Sequence, residues 1–170
     1  MRLLRLLLTV CVTLALSGCA GYRLGPTGGQ SAGEKSVQIV PFANRTAEAR
    51  LADAVTSALR KEVQRDGTFR LSTRDAGDII VTGALIRYDR REVSLVPGDV
   101  ATARDYNLNL TAQVVARERS SGKVLFDQPV TSLTLVRVGP DLPGSERQAL
   151  PLLATELARR VTALLADGSW

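Results

Sequence analysis

Tyr106-Asn107-Leu108-Asn109-Leu110-Thr111-Ala112-Gln113-Val114-Val115-Ala116 alternates apolar and polar residues with hardly a break. Tyr106, Leu108, Leu110, Ala112, Val114 and Ala116 fall on one face of an extended chain, and Asn107, Asn109, Thr111 and Gln113 on the other. A period of two predicts a strand with one buried and one polar face, the pattern of antiparallel sheets in small α+β domains. On the N-terminal side, Asp78–Tyr88 is apolar enough for a central strand, in which Gly83 marks a bulge or a close backbone approach. Arg91–Val96 reads as a further strand ended by the turn signal Pro97-Gly98-Asp99. On the C-terminal side, Ser120-Ser121-Gly122 turns the chain into Lys123–Val138, a strand interrupted by Pro129.

Two helical patterns flank this run of strands. Val37–Phe42 is a first strand with Pro41 near its end, and Phe69–Thr73 a short one. Between them Leu51, Val55, Ala58, Leu59 and Val63 keep the helical period, with Asn44-Arg45-Thr46 as the expected cap and Asp66-Gly67 as the stop. Arg60, Lys61 and Arg65 near its C-terminus read as a solvated face that suits the helix dipole. After the loop Gly139–Gly144, Leu150, Leu153, Leu157, Val161 and Leu164 form a second apolar stripe that stops near Asp167-Gly168. Pro151 leaves two starts for that helix: near Ala149, or at Ser145 with a capping box to Gln148 and a kink. The expected fold is therefore α+β, two helices packed on one face of a mainly antiparallel sheet of about four strands.

The N-terminus has a different character. Met1-Arg2-Leu3-Leu4-Arg5, an apolar run from Leu6 to Leu16, and Ser17-Gly18 before Cys19 make a secretory leader. The run falls short of the roughly 20 residues of a membrane span. Leu16-Ser17-Gly18-Cys19 resembles the lipobox of bacterial lipoproteins, whose cysteine is acylated and becomes the mature N-terminus. That resemblance implies a leader over 1–18, a lipidated flexible linker over 19–35 and a single domain over 36–170, with Cys19 as the lipidation site. Ala20, where inner-membrane lipoproteins of enteric bacteria commonly carry aspartate, implies the outer membrane. Cys11 leaves with the leader, so no thiol remains for a disulfide or a thiolate metal site.

Composition then excludes several classes. Arg2 and Arg5 belong to the leader, so the mature chain keeps 20 of the 22 basic residues against 17 acidic ones. That excess is too mild and dispersed for a nucleic-acid binder, but it allows a local basic patch facing an anionic glycolipid. Histidine is absent, which removes the commonest general base, the usual triads and most zinc sites. No cofactor, metal or enzymatic activity is expected; Asp75, Asp78 and Asp105 suit caps, turns and ion pairs. Gly28, Gly33 and Lys35 do not make a phosphate-binding loop, because Glu34 intervenes and a strand follows.

Cys19-Ala20-Gly21-Tyr22-Arg23-Leu24, Pro41-Phe42-Ala43-Asn44-Arg45-Thr46 before a helix, Ala76-Gly77-Asp78 before a strand containing Gly83, and Asp105-Tyr106-Asn107-Leu108 opening the long strand together resemble the LptE family of lipopolysaccharide-assembly lipoproteins. The opening differs from that family's by one residue inserted after the cysteine. The resemblance implies two helices on a four-stranded sheet. It also implies a partner, a large LptD-type outer-membrane β-barrel that the lipoprotein plugs, helps to assemble and assists in delivering lipopolysaccharide to the outer leaflet. Asn107, Asn109, Thr111 and Gln113 suit a polar barrel lumen, or a face that meets water.

For the glycolipid, Arg90, Arg91 and Arg104 flank the 96–103 loop and can hold phosphate bidentately, with Arg137 and Arg147 as weaker candidates near the following loop. The family's basic residues near the first loop have no counterpart within 92–103, so this carry-over is inexact. Two other lipoprotein classes share the strand-then-helix opening: periplasmic regulators of cell-wall synthesis and secretion-channel lipoproteins. The partner distinguishes them, a peptidoglycan synthase or a self-assembled ring in place of a barrel.

Overall fold

A computed structural model describes residues 32–74, 76–96, 99–137 and 142–168, and of these the side chains of 94–104 and 142 are excluded. The leader, Cys19 and residues 19–31 of the linker lie outside the described residues, as do Pro97-Gly98 and 138–141.

β1 (Ser36–Ile39) carries Val37 and Ile39 into the core. The expected strand over 37–42 is split, because Pro41 has no N–H for the ladder. Phe42 instead turns inward, its N–H donating to Thr56 Oγ1 at 3.1 Å, and β2 (Ala43–Asn44) resumes beside the long strand. The cap expected at Asn44–Thr46 does not start a helix. Asn44 Oδ1 accepts from Thr46 N–H at 2.9 Å, and its amide donates to Glu48 O at 2.8 Å, so its polar atoms hold a loop. α1 (Leu51–Asp66) begins later, with no side-chain cap on its first turn. It ends as expected at Gly67, in the left-handed conformation at φ +75°.

β3 (Arg70–Ser72) is followed by β4 (Ile79–Val96), β5 (Asp99–Glu118), β6 (Val124–Arg137) and α2 (Leu142–Asp167). The two strands expected over 78–88 and 91–96 are one, because register shifts at Ile86 and Val93 absorb the irregularity without ending the ladder. Gly83 is the close approach rather than the bulge: a Cβ there would lie 2.3 Å from the Phe42 ring. α2 starts before either expected position and carries Pro151 inside it.

The sheet has the order β3-β1-β4-β5-β6, with β2 also on β4. β1 pairs parallel to β3 and β4, and β2 parallel to β4; β4, β5 and β6 are antiparallel. The sheet is therefore mixed and six-stranded rather than mainly antiparallel and four-stranded. The short parallel strands follow from the crossover through α1, which returns the chain in the same direction. Both helices lie on one face: Leu51, Val55, Leu59 and Val63 of α1 and Leu153, Leu157, Val161 and Leu165 of α2 join Ile79, Val81, Leu85, Leu108, Leu110 and Val114 in one core. Each leucine buried there contributes about 2 kcal/mol relative to exposure. Among the described residues no helix is long and apolar enough to cross a membrane.

Candidate functional site

The faces of β4 and β5 place the predicted arginines. Beyond Leu85, which pairs with Ala112, the shift at Ile86 reverses the side on which each β4 residue lies. Tyr88 and Arg90 then pair with Leu110 and Leu108 on the helix side, while Arg87, Asp89 and Arg91 pair with Thr111, Asn109 and Asn107 on the outer side. Arg90 and Arg91 thus face opposite ways, as neighbours in a strand must.

On the helix side, Arg90 Nη1 lies 3.0 Å from Glu146 Oε1 near the start of α2, and its side chain is 49% exposed. A cleft of about 330 Å³ opens beside it, lined by Glu48, Arg50, Tyr88, Pro143, Glu146 and Arg147, with Leu150 below. Burial pushes the Tyr88 phenol up to about 12, and the nearby carboxylates of Glu146 and Glu48 add to the shift. Arg90 and Arg147 thus come to one neighbourhood, joined by Arg50, which the sequence reading missed. Only the loop held by Asn44 brings Arg50 there, and no local signal marks it.

The outer side is a different surface. Arg91 is 71% exposed, with Nε 3.5 Å from Asp89 Oδ2, and Arg87 Nε lies 2.8 Å from Asp89 Oδ1. Arg137, 73% exposed, sits 3.3 Å from Asp105 Oδ1 across the β5–β6 ladder. Arg104 is on β5, but its side chain lies outside the described residues. The placed arginines therefore do not form one cluster: Arg147 lines the helix-side cleft and Arg90 pairs with Glu146 at its edge, and Arg91 and Arg137 share the outer face.

The polar stripe of β5 lies where expected and is cross-braced. Asn109 Nδ2 donates to Asp89 Oδ2 at 3.3 Å, Thr111 and Thr131 hydroxyls lie 2.9 Å apart, and the Gln113 amide donates to Asp127. Beside it stands a feature not singled out in the sequence: Leu133 and Leu135 of β6, 48% and 57% exposed, opposite Asn109 and Asn107. The signal was available, since these leucines alternate with Val130, Ser132, Thr134 and Val136, of which Val130, Ser132 and Val136 are buried. Among the described residues no group of acidic, cysteine or histidine side chains could hold a metal ion.

A family model described as "LptE: Lipopolysaccharide-assembly" matches residues 34–165, most of the chain. The chain belongs to the LptE family. It is a lipopolysaccharide-assembly protein, of a family whose role is assembly rather than catalysis. Solved structures share the fold at low identity. A protein of Xanthomonas campestris is similar at a TM-score of 0.62 and 9% identity, covering 86% of this chain and 91% of its own. A protein of Chlamydia trachomatis is similar at 0.56 and 10%, covering 80% and 96%. A minor lipoprotein of Acinetobacter baumannii reaches 0.50 and 16%, covering 78% and 92%. A search of curated proteins finds no match.

Proposed function

We propose that this LptE-family chain is an outer-membrane lipoprotein, acylated at Cys19, that complexes with and plugs an LptD-type β-barrel, assists its assembly and helps insert lipopolysaccharide into the outer leaflet. The family match over 34–165 carries this reading. The outer sheet face supports it as the barrel-contacting surface. A barrel lumen is polar, so an occupant needs hydrogen-bonding side chains held in fixed positions. Asn109, Thr111 and Gln113 are braced by lateral hydrogen bonds, and Leu133 and Leu135 offer apolar anchors beside them.

The test is an affinity pull-down of the lipidated protein from detergent-solubilised outer membranes. A stoichiometric large β-barrel is the expected partner, and the paired substitution Leu133→Asp with Leu135→Asp should lower its recovery about tenfold with the circular-dichroism spectrum unchanged. A cell-wall synthase, or a ring of this chain alone, would overturn the reading in favour of the regulatory or secretion-channel alternative. For lipopolysaccharide, Arg90→Gln combined with charge reversal at Arg91 and Arg104 should weaken binding with the fold intact; undiminished binding would remove these arginines from the role.

A further inference from the structure

The chain enters the described fold at the end of β4 remote from the β4–β5 hairpin. There Gly33 N–H donates to Thr68 O at 3.0 Å, Arg70 N–H to Lys35 O at 3.0 Å, Arg119 N–H to Asp78 O at 2.8 Å and Glu118 N–H to Lys123 O at 2.9 Å. These bonds join the starts of β1, β3 and β4 and the β5–β6 turn into one rim. Two hollows of about 570 and 420 Å³ lie side by side on it, with Asp78 lining both. The first is also lined by Lys35 and Arg119, the second by Arg70 and Arg74.

Most carboxylates of the rim are engaged by the fold. Asp78 Oδ2 accepts from Ser36 N–H at 2.8 Å and from its hydroxyl at 2.7 Å. Glu118 takes Lys35 Nζ at 3.3 Å and the Ser121 hydroxyl at 2.6 Å, and Asp66 Oδ1 accepts Thr68 N–H at 3.2 Å. Glu34 lines the larger hollow. The cations are less constrained. Arg70, Arg74 and Lys123 are exposed and make no ion pair among the described residues, and Arg119, also exposed, donates one N–H to Ala76 O at 3.2 Å. The rim thus carries exposed cations without ion pairs among the described residues, beside carboxylates of which Glu34, Asp66 and Asp78 are also exposed and Asp66, Asp78 and Glu118 are hydrogen-bonded within the fold.

Its distance from the anchor is bounded by covalent length. Residues 20–32 separate Cys19 from Gly33, and that many residues span at most about 45 Å. The hairpin lies about 55 Å further along β4. We propose that the rim carrying Arg70, Arg74, Arg119 and Lys123 docks on the anionic phosphates of the lipid leaflet that holds the anchor, setting the orientation of the domain on the membrane. This rests on the reading of Cys19 as acylated. Guanidinium groups pair with phosphate oxygens, and an anionic leaflet attracts basic residues held within a screening length of it.

The test is hydrogen–deuterium exchange of the full chain on vesicles of phosphatidylcholine alone and on vesicles with about a third phosphatidylglycerol. Amides of 70–74 and 117–124 should exchange about threefold more slowly on the anionic vesicles, and the difference should vanish at about 1 M salt, where screening acts within about 3 Å. The combined Arg70→Glu, Arg74→Glu and Lys123→Glu variant should lose the protection. The milder glutamine set at the same positions should lose most of it, which keeps the test valid if charge reversal unfolds the rim. Equal exchange on both vesicles, protection that survives the substitutions, or a mass showing Cys19 unmodified would each overturn the proposal. Barrel recovery in the pull-down is read separately. Retained barrel with no rim protection overturns this proposal alone, and rim protection with no barrel overturns the partner reading alone.

Discussion

Gly83 is held to its identity by a neighbour rather than by its backbone. An ideal Cβ there would meet the Phe42 ring at 2.3 to 2.7 Å, and that ring is buried and its backbone N–H is tied to Thr56. Gly83→Ala should cost about 1–3 kcal/mol in urea unfolding, because a ring buried in the core cannot yield cheaply. Asp78 shows the reverse dependence, one residue held by hydrogen bonds to another. The Ser36 hydroxyl first, then its backbone N–H, hold the Asp78 carboxyl below its ordinary value of 3.8. A depressed carboxylate contributes stability that is present above its unfolded pKa and is lost as pH falls through its folded one. Ser36→Ala removes the larger cause, so acid unfolding followed by circular dichroism should begin at a higher pH than in the parent chain.

At the scale of the element, β6 is a strand turned partly inside out. Its leucines at 133 and 135 face outward, while Ser132 is fully buried and its hydroxyl has no hydrogen-bond partner among the described residues. An unpaired buried hydroxyl is a cost that a methyl group does not carry. Ser132→Ala should therefore raise the unfolding free energy by about 1 kcal/mol, and an unchanged midpoint would show that the hydroxyl finds a partner in solution. As an edge strand β6 also needs protection from other strands. Pro129 removes one donor, and Arg160 of α2 covers the Thr131 carbonyl at 2.9 Å.

At the scale of the whole molecule, basic side chains other than those along the two helices gather on three surfaces: the helix-side cleft, the outer sheet face and the rim where the chain enters. Arg90→Glu should destabilise the fold, since it places a carboxylate against Glu146. Arg91→Gln with Arg137→Gln removes two exposed guanidiniums from half-buried carboxylates without adding like charge, and should cost no more than about 1 kcal/mol of stability. If the outer face contributes to holding glycolipid phosphate, that same pair should weaken lipopolysaccharide binding about tenfold in a direct titration, and equal affinity would assign the contact elsewhere.

The helix stripes, the turn at Gly122, the helix stop at Gly67 and the two faces of β5 were legible in the residues, because each depends on local period or on one residue's backbone freedom. The number of strands was not legible. Pro41 splitting β1 from β2 and the irregularities bridging β4 are decided by what lies across the ladder. The arginine site shows the limit most clearly. Sequence spacing placed Arg90 and Arg91 side by side near a loop, but strand alternation sends them to opposite faces, and the extra residue at Ile86 decides which of the two faces the helices. The sequence by itself determined which residues alternate and which helices are amphipathic, since those are properties of a chain and its neighbours two to four positions away. Only the tertiary structure decided which side of the sheet each charge occupies, because that depends on a ladder register set by residues far apart in the chain.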